Sequence, residues 1–253
     1  MLKKIIIIYV LIVLLFPFIA ESQQSQQLQL PNLSVNVGMD DGGNDLVLTL
    51  QILAVLTVLT LAPSILVMMT CFTRIIVVFH FLKQAMGAHT QPPNQLLTGL
   101  ALFLTFFVMQ PVLDQSNERG IQPYMRDEIT QEVAVENIIQ PFRDFMLKHT
   151  REEDLALFVK LSGSEKPMDE TELTIWAIIP AYTISELRVA FQIGFMLFVP
   201  FLVLDMIIAS TLMSLGMFLL PPQLISLPIK LLLFILVDGW NLVIDSLMKS
   251  ILN

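Results

Sequence analysis

Residues 189–220 read VAFQIGFMLFVPFLVLDMIIASTLMSLGMFLL, a run of 32 residues in which Asp205 is the single charged side chain. A helix needs about twenty apolar residues to cross the hydrocarbon core of a membrane, and this run is longer than that. Three other stretches are similarly apolar: residues 46–69, 96–113 and 224–237. Together they predict an all-α membrane protein made of apolar helical hairpins.

The composition of the 253-residue chain also excludes an ordinary soluble domain. The chain is 55% hydrophobic and 14% charged, with a mean hydropathy of +0.73, whereas soluble domains carry about a quarter charged residues. Residues 114–172 hold fourteen acidic and seven basic side chains, which account for most of the net charge of −8. We therefore expect one acidic insert within the membrane part, and no basic surface for nucleic acid.

These patterns divide the chain into five segments. Lys3, Lys4, the apolar run after them and Pro17 are typical of a signal peptide cleaved after Ala20, with an uncleaved anchor as the alternative. Export of the new N-terminus places the insert on the outer side after two crossings. The expected segments are a signal peptide (1–20), a mobile N-terminal segment (21–45), a first apolar helical hairpin (46–113), a polar helical insert (114–174) and a second apolar helical hairpin (175–253).

Proline, glycine and capping patterns suggest where the second hairpin is interrupted. At 1.5 Å per residue the 189–220 run would be about 48 Å long, so Gly194 and Pro200 predict a kink or a break near residue 200. Thr183 and Glu186 form a capping pattern, which predicts a helix start just before the run.

The insert itself is expected to be helical. Its apolar residues recur at roughly 3.6-residue spacing, and Pro141 is expected to bend or divide this helix. Thr150 with Glu153 forms a second capping pattern, which predicts another helix over residues 151–161.

The residues that would support an enzyme are missing. His80, His89 and His149 are far apart, and no zinc-protease, nucleophile-elbow or phosphate-loop motif occurs. Cys71 is the single cysteine, so an intramolecular disulfide or a cysteine-based zinc cluster is excluded, and its apolar surroundings favour a buried inert thiol. We expect no catalytic residue, no metal and no cofactor, which leaves the hypothesis of an intramembrane enzyme without support.

Charges within apolar stretches are the main candidates for a site. Asp205 at a helix centre costs about 2.5 to 3.5 kcal/mol in lipid, so it needs a partner or water. Lys230, Arg74 and Arg188 are the available cations, and the sequence does not choose among them. A buried structural or assembly pair is one interpretation and a pore-lining or gating role the other; Glu186 and Arg188 are either interfacial or part of such a pair.

Methionine is abundant, and three of the fourteen share a spacing. Met206, Met213 and Met217 are seven and four residues apart, which places them within about 40° of one another on one helix face. Such a stripe is usually a packing surface.

Longer runs with several polar, glycine and proline positions carry a resemblance. They are Phe72-Thr-Arg-Ile-Ile-Val-Val, Lys83-Gln-Ala-Met-Gly-Ala-His-Thr-Gln-Pro-Pro-Asn, Pro180-Ala-Tyr-Thr-Ile-Ser-Glu-Leu-Arg, Pro200-Phe-Leu-Val-Leu-Asp-Met and Leu227-Pro-Ile-Lys-Leu-Leu-Leu-Phe. These runs resemble the FliP family of flagellar type III export-gate proteins, from about residue 46 to the C-terminus. Virulence-secretion paralogues share much of the pattern, while Pro221-Pro222 and Val237-Asp-Gly-Trp-Asn-Leu look closer to the flagellar branch.

The resemblance implies a function that the residues alone do not give. It implies a pentamer that joins FliQ-like and FliR-like membrane proteins and other export components at the flagellar basal body in the bacterial inner membrane. The insert is then periplasmic, partner subunits cover the apolar hairpins, and unfolded flagellar subunits pass through the centre. The family closes its pore with a methionine-rich loop, and the corresponding residues here are Met213, Met217 and Phe218.

Without the resemblance, the alternative function is an ion-coupled membrane transporter or channel that uses Asp205 and Lys230. Such a transporter should work alone or as a simple oligomer and move a small solute. An export-gate subunit should copurify with two other membrane proteins, and its loss should abolish filament assembly.

Overall fold

The computed structural model describes residues 44–88, 91–162, 173–217 and 220–252. The expected signal peptide and nearly all of the N-terminal segment lie outside these residues. Every regular element in the described ranges is helical, so the prediction of an all-α membrane protein is confirmed. The helices are α1 (Asn44–Met68), α2 (Phe72–Ala85), α3 (Asn94–Ser116), a π-helical turn (Asn117–Ile121), α4 (Gln122–Met125), α5 (Gln131–His149), α6 (Glu152–Leu161), α7 (Ile175–Ser214), α8 (Pro222–Leu236) and α9 (Gly239–Leu252).

Most of α1 forms a unit of its own, which ends at Leu66. Its 25 residues extend about 37 Å at the usual helical rise. The hydroxyl groups of Thr57 and Thr60 donate to the carbonyl oxygens of Leu53 and Leu56, at 2.8 and 3.0 Å. These bonds satisfy the two polar side chains within the helix, which suits an apolar environment.

Residues 67–253 form the second unit, and two of its helices are each long and apolar enough to cross a membrane. They are Asn94–Met125, which runs from α3 through the π-helical turn to α4, and Ile175–Ser214. Together, α8 and α9 are also long and apolar enough to cross a membrane, but the two helices are bent by 66° at the break between them. The described part of this unit therefore holds two helices with the length and composition of a membrane span, and one bent pair.

The core of this unit is the contact between α2 and α7, the most extensive one between two described helices. Four apolar side chains of α2 are buried: Ile75, Val78, Phe79 and Leu82. Gly194 permits the close approach, because a Cβ atom there would lie 2.5 Å from two ring carbons of Phe81. Gly194 therefore acts as a contact point between helices, and α7 continues through it and through Pro200 without the break that we expected.

The N-terminus of α7 also corrects the sequence analysis. The helix begins at Ile175, after Thr174, and so the capping pattern of Thr183 with Glu186 lies two turns inside it. The Thr183 hydroxyl donates to the carbonyl oxygen of Ile179 at 2.8 Å. The helix forms across Pro180 because the turns around it are buried, so packing outweighs the backbone hydrogen bond that proline removes.

The insert is helical, as predicted, in the part of it that the structure describes. Pro141 is buried inside the continuous helix α5 and does not divide it. The second helix, α6, begins one residue later than expected, after Arg151, and no side chain caps its N-terminus. The Thr150 hydroxyl instead donates to the carbonyl oxygen of Met146 at 2.6 Å, so the capping box of Thr150 with Glu153 was wrong although the helix was right.

Helix α7 ends at Ser214, before the last methionine of the predicted stripe. Gly216 has a φ of +76°, a conformation that glycine adopts without a steric penalty. The amides of Gly216 and Met217 donate to the carbonyl oxygens of Met213 and Leu212, at 3.1 and 3.0 Å, which closes the helix end as a Schellman motif. Met217 therefore lies outside the helix, and the prediction of one helical face for Met206, Met213 and Met217 was wrong.

Candidate functional site

Three polar clusters join distant parts of the chain. We call them the arginine joint (Arg74, Glu186 and Ser250), the lysine joint (Lys230, Asp205 and the carbonyl of Ala85) and the serine joint (Ser185, Asp154, Arg151 and Arg188). All three include a residue of α7, so this helix connects the other elements.

The arginine joint is a buried forked ion pair. The Nε atom of Arg74 donates to Oε2 of Glu186 at 2.8 Å, and its Nη2 atom donates to Oε1. The Nη1 atom donates to the carbonyl oxygen of Ser250 at 2.5 Å and also contacts the Ser250 hydroxyl at 3.2 Å. The side chains of Arg74 and Glu186 are 3% and 1% exposed. Each nitrogen of the guanidinium group and each carboxylate oxygen thus has a partner, which buried charges require.

The lysine joint has a different environment. The Lys230 ammonium lies 2.6 Å from Oδ2 of Asp205 and 3.1 Å from the carbonyl oxygen of Ala85. That carbonyl belongs to the last residue of α2, where the helix dipole favours a cation. The Lys230 side chain is 6% exposed and that of Asp205 37%. The second carboxylate oxygen of Asp205 is buried and has no hydrogen-bond partner among the described residues.

The serine joint attaches the insert to α7. The Ser185 hydroxyl accepts from the backbone amide of Arg151 at 3.1 Å and donates to Oδ2 of Asp154 at 2.8 Å. Arg188 lies 3.6 Å from Oδ1 of the same carboxylate. Both Ser185 and Asp154 are buried. The start of α6 is therefore fixed to the middle of the first half of α7.

A fourth contact connects the insert to the end of α9. The two ring nitrogens of His149, at the C-terminus of α5, each lie 2.8 Å from a backbone carbonyl oxygen: Nδ1 from that of Phe145 and Nε2 from that of Ile251. The ring is also packed against the Phe145 ring, with centroids 4.6 Å apart.

The structure thus assigns a partner to each of the charges selected from the sequence. Among the three candidate cations, Lys230 is the partner of Asp205, while Arg74 pairs with Glu186 and Arg188 with Asp154. Of the residues expected at a pore constriction, Met213 and Met217 are exposed, and Phe218 lies outside the described residues.

Sequence reasoning missed His149, Asp154, Ser185 and Ser250 as parts of these joints. Apart from the contact of His149 with Phe145, four residues away, their partners are between 31 and 176 residues away in sequence, a separation that no local pattern reports. One signal was available for Asp154, because an acidic residue in the first turn of a helix is common, but its burial was not predictable.

The arrangement of these polar contacts holds helices together. No group of three or more metal-ligating side chains occurs in the described part of the chain. Cys71 is fully buried. The hydroxyl of Tyr182 is buried next to the arginine joint and has no hydrogen-bond partner among the described residues.

Comparisons with known proteins agree on one family. The model of the FliP family matches residues 55–247. The chain is 46% identical to the flagellar biosynthetic protein FliP of Bacillus subtilis over 219 residues, which cover 87% of this chain and 99% of the relative. It is 49% identical over 222 residues to the protein of the same name from Pectobacterium carotovorum, covering 88% and 86%, and 46% identical over 224 residues to that of Aquifex aeolicus, covering 88% and 92%.

Proposed function

This chain belongs to the FliP family, and from that premise we propose that it is a pore-forming structural subunit of the flagellar protein-export gate. In this proposal several copies, five by family resemblance, form a ring with FliQ-like and FliR-like membrane proteins in the bacterial inner membrane. The insert faces the periplasm, and unfolded flagellar subunits cross through the centre. The protein acts by forming and closing a passage and catalyses no reaction.

The exposed apolar surface of α7 is the observation that supports assembly most strongly. The helix has 40 residues and is about 60 Å long, twice the thickness of the hydrocarbon core. Only 11% of its most apolar 18-residue segment is buried within the chain. A helix of this length and character is covered best by neighbouring subunits along part of its surface, as a ring would provide.

The lysine joint supports a role for Asp205 in that assembly. More than a third of the Asp205 side chain is exposed, in an apolar part of α7 where an uncovered charge is costly. We propose that a neighbouring subunit covers this exposed part, which makes Asp205 an assembly residue. Lys230 is already bound to Asp205 and Ala85, so this geometry favours a fixed structural pair over the ion-coupled transport alternative.

The turn between α7 and α8 is the proposed constriction. Met213 is in the last turn of α7, Met217 follows the Gly216 turn, and α8 begins at Pro222. Unbranched methionine side chains deform readily, so repeated copies around a ring can open for a polypeptide and close again. Met213, Met217 and Phe218 would then form an apolar constriction that excludes water. Packing against a neighbouring hairpin is the competing role for these side chains.

Two measurements on one variant separate the constriction from packing. The double variant Met217→Ala with Phe218→Ala should assemble normally and make the membrane permeable to ions, measured as conductance or ion flux in cells or in reconstituted vesicles. The matched control is Met206→Ala, an exposed methionine in the body of α7. A normal assembly with background conductance would remove the constriction from these positions. A low complex yield without a leak would assign them to packing.

The export function itself is tested by deletion and complementation. A strain without this chain should secrete no flagellar subunits and assemble no filament, and the unaltered chain should restore both. Secretion that persists without the chain would contradict an export role, whatever the result for the constriction.

A further inference from the structure

A groove lies along one face of α7, within the unit formed by residues 67–253. It has a volume of about 560 Å³ and is lined by Ile184, Leu187, Arg188, Phe191, Gln192 and Phe195. At 100° per residue, these side chains fall within about 140° of the helix circumference. Phe191 and Phe195 are 53% and 68% exposed, so the described part of the chain leaves the rings of the α7 groove uncovered.

Helix α3 has an exposed apolar face of similar length. Leu96, Phe103 and Phe106 are 62%, 69% and 64% exposed, and their spacing of seven and three residues places them on one side of the helix. Gly99 lies on the same side between Leu96 and Phe103, and a Cβ atom there would meet nothing within 4 Å. The α3 face therefore consists of large side chains with a notch at Gly99, and exposed apolar patches of this kind mark interaction sites.

Helix α2 relates the depth of the α3 face to that of the α7 groove. Three contacts set the directions of the helices: Arg74 with Glu186, Phe81 with Gly194, and Lys83 with Asn94. The first two contacts advance together along both chains, so α2 and α7 run in the same direction. The third joins the end of α2 to the start of α3, so α3 runs back along α2, antiparallel to α7.

The two surfaces lie at the same depth. Counting from those contacts at the helical rise of about 1.5 Å per residue places Phe191 level with Gly99, and Arg188 within about two residues of Phe103. Helices α3 and α7 share no extensive contact within the described chain, so neither surface covers the other. A rotation about an axis normal to the membrane keeps every residue at its depth, and a ring joins two different surfaces of identical subunits.

We propose that the α3 face of one copy packs into the α7 groove of the next copy, with the two helices antiparallel. The Phe191 ring is positioned by the Phe81 ring, 5.4 Å away at an angle of 80°, and enters the notch at Gly99, where a small residue permits close approach in a membrane. The Arg188 side chain is 45% exposed, and its guanidinium group lies over the Phe103 ring in a cation–π contact. This inference rests on the proposed ring and names the two surfaces that close it.

Helix α1 is a less suitable occupant of the groove by its composition. Its 25 residues include no aromatic side chain, and Asp45 at its start is its single acidic one. It therefore offers no ring for Arg188 along its apolar length, which the α3 face provides.

Cysteine cross-linking between two tagged forms tests the interface in membranes that also contain coexpressed FliQ-like and FliR-like proteins. One form carries Leu96→Cys and the other Phe195→Cys, while the native Cys71 stays buried in both. Oxidation should give a product of two chains that carries both tags. The matched control Met196→Cys is 73% exposed but turned by about 100° from Phe195, and should give no more than about a fifth of this product.

Three results of the cross-linking would overturn the interface. They are equal yields from Phe195→Cys and Met196→Cys, no doubly tagged product although the complex is present, and a product that joins Phe195→Cys to a different protein instead. Cross-linking of Phe195→Cys to Leu53→Cys in place of Leu96→Cys would assign the groove to α1.

A second variant fills the notch. Gly99→Leu adds a side chain where the isolated chain has open space, so the thermal stability of the isolated chain should not fall. The yield of the complex should fall about fivefold or more, because a central contact of the interface is blocked. Ala156→Leu, at an exposed position of α6, is the matched control and should leave the yield unchanged.

The outcomes separate this interface from the proposed function. A complex that contains a single copy of the chain would contradict the proposed ring itself. A ring of five copies that forms normally with Gly99→Leu, in a strain that still secretes flagellar subunits, would overturn the interface alone and leave the export role in place.

Discussion

The arginine and lysine joints connect the same two helices, α2 and α7, yet they differ in how far the chain satisfies them. Arg74 and Glu186 are both buried, and all their charged atoms have partners within the chain. Asp205 is more than a third exposed, and one of its oxygens has no partner among the described residues. The first joint is therefore part of the fold, whereas the exposed part of the second can be covered by another subunit.

The largest effect is expected when the arginine joint is broken. Glu186→Gln keeps the shape of the side chain but leaves Arg74 as an unpaired buried cation. Loss of one partner of a buried pair costs about 3 to 5 kcal/mol, so the purified chain should unfold at a much lower temperature or denaturant concentration. The variant Arg74→Met with Glu186→Leu removes both charges and should recover much of the loss. A single variant as stable as the parent would show that the joint is not part of the fold.

Packing between the two joints comes next. Gly194 lies between Glu186 and Asp205 on α7, and a Cβ atom there would meet the Phe81 ring at 2.5 Å. Gly194→Ala should therefore lower the free energy of unfolding by about 1 to 3 kcal/mol, the usual cost of overpacking. In Gly99→Ala of α3 the new Cβ meets nothing within 4 Å, and helix propensity should make this control neutral or slightly stabilising. Equal effects in the two variants would contradict the close approach.

The lysine joint should respond mainly in assembly. Because Asp205 is partly exposed, Asp205→Ala should cost the isolated chain only about 1 to 2 kcal/mol, between the values for exposed and buried pairs. The yield of the complex with its partners should fall more than the stability of the chain does. Asp245→Ala breaks an exposed pair with Lys249. It should change the stability of the chain by no more than about 0.5 kcal/mol and leave the yield of the complex unchanged. Normal complex yield from Asp205→Ala would remove the assembly role, and an accompanying ion leak would favour gating.

The smallest effect concerns the hydroxyl beside the arginine joint. Tyr182→Phe removes a buried group that has no hydrogen-bond partner among the described residues, so stability should be unchanged or higher by up to about 1 kcal/mol. Thermal unfolding in the same detergent measures this, with Tyr124→Phe on the exposed face of α4 as the control. A clear loss of stability in Tyr182→Phe alone would mean that the hydroxyl is bound.

The sequence was sufficient for the fold class and for the existence of most helices. Apolar length predicted the membrane helices, and helical spacing predicted the insert. Helix boundaries were less predictable, since packing carried α5 through Pro141 and α7 through Pro200, where local rules favour an interruption. Gly194 was expected to kink or break α7, but it marks a close approach of α7 to Phe81 of α2.

The sequence predicted which charged residues belong to the candidate site, but not how they pair. A charge in an apolar stretch is conspicuous because burial is costly, so Asp205, Lys230, Arg74 and Glu186 were all selected. Their pairing depends on contacts across as many as 112 residues of sequence. The contacts of His149 had no such signal, because the two carbonyl groups that it meets belong to the backbone.

The native mass of the complex, purified after coexpression with FliQ-like and FliR-like membrane proteins, tests the proposed assembly most directly. Each copy of the full chain contributes 28.6 kDa, less the signal peptide if it is removed. The account predicts a complex with five copies of this chain together with both partners. A stable monomer in mild detergent, although the partners are coexpressed and present in the membrane, would contradict it.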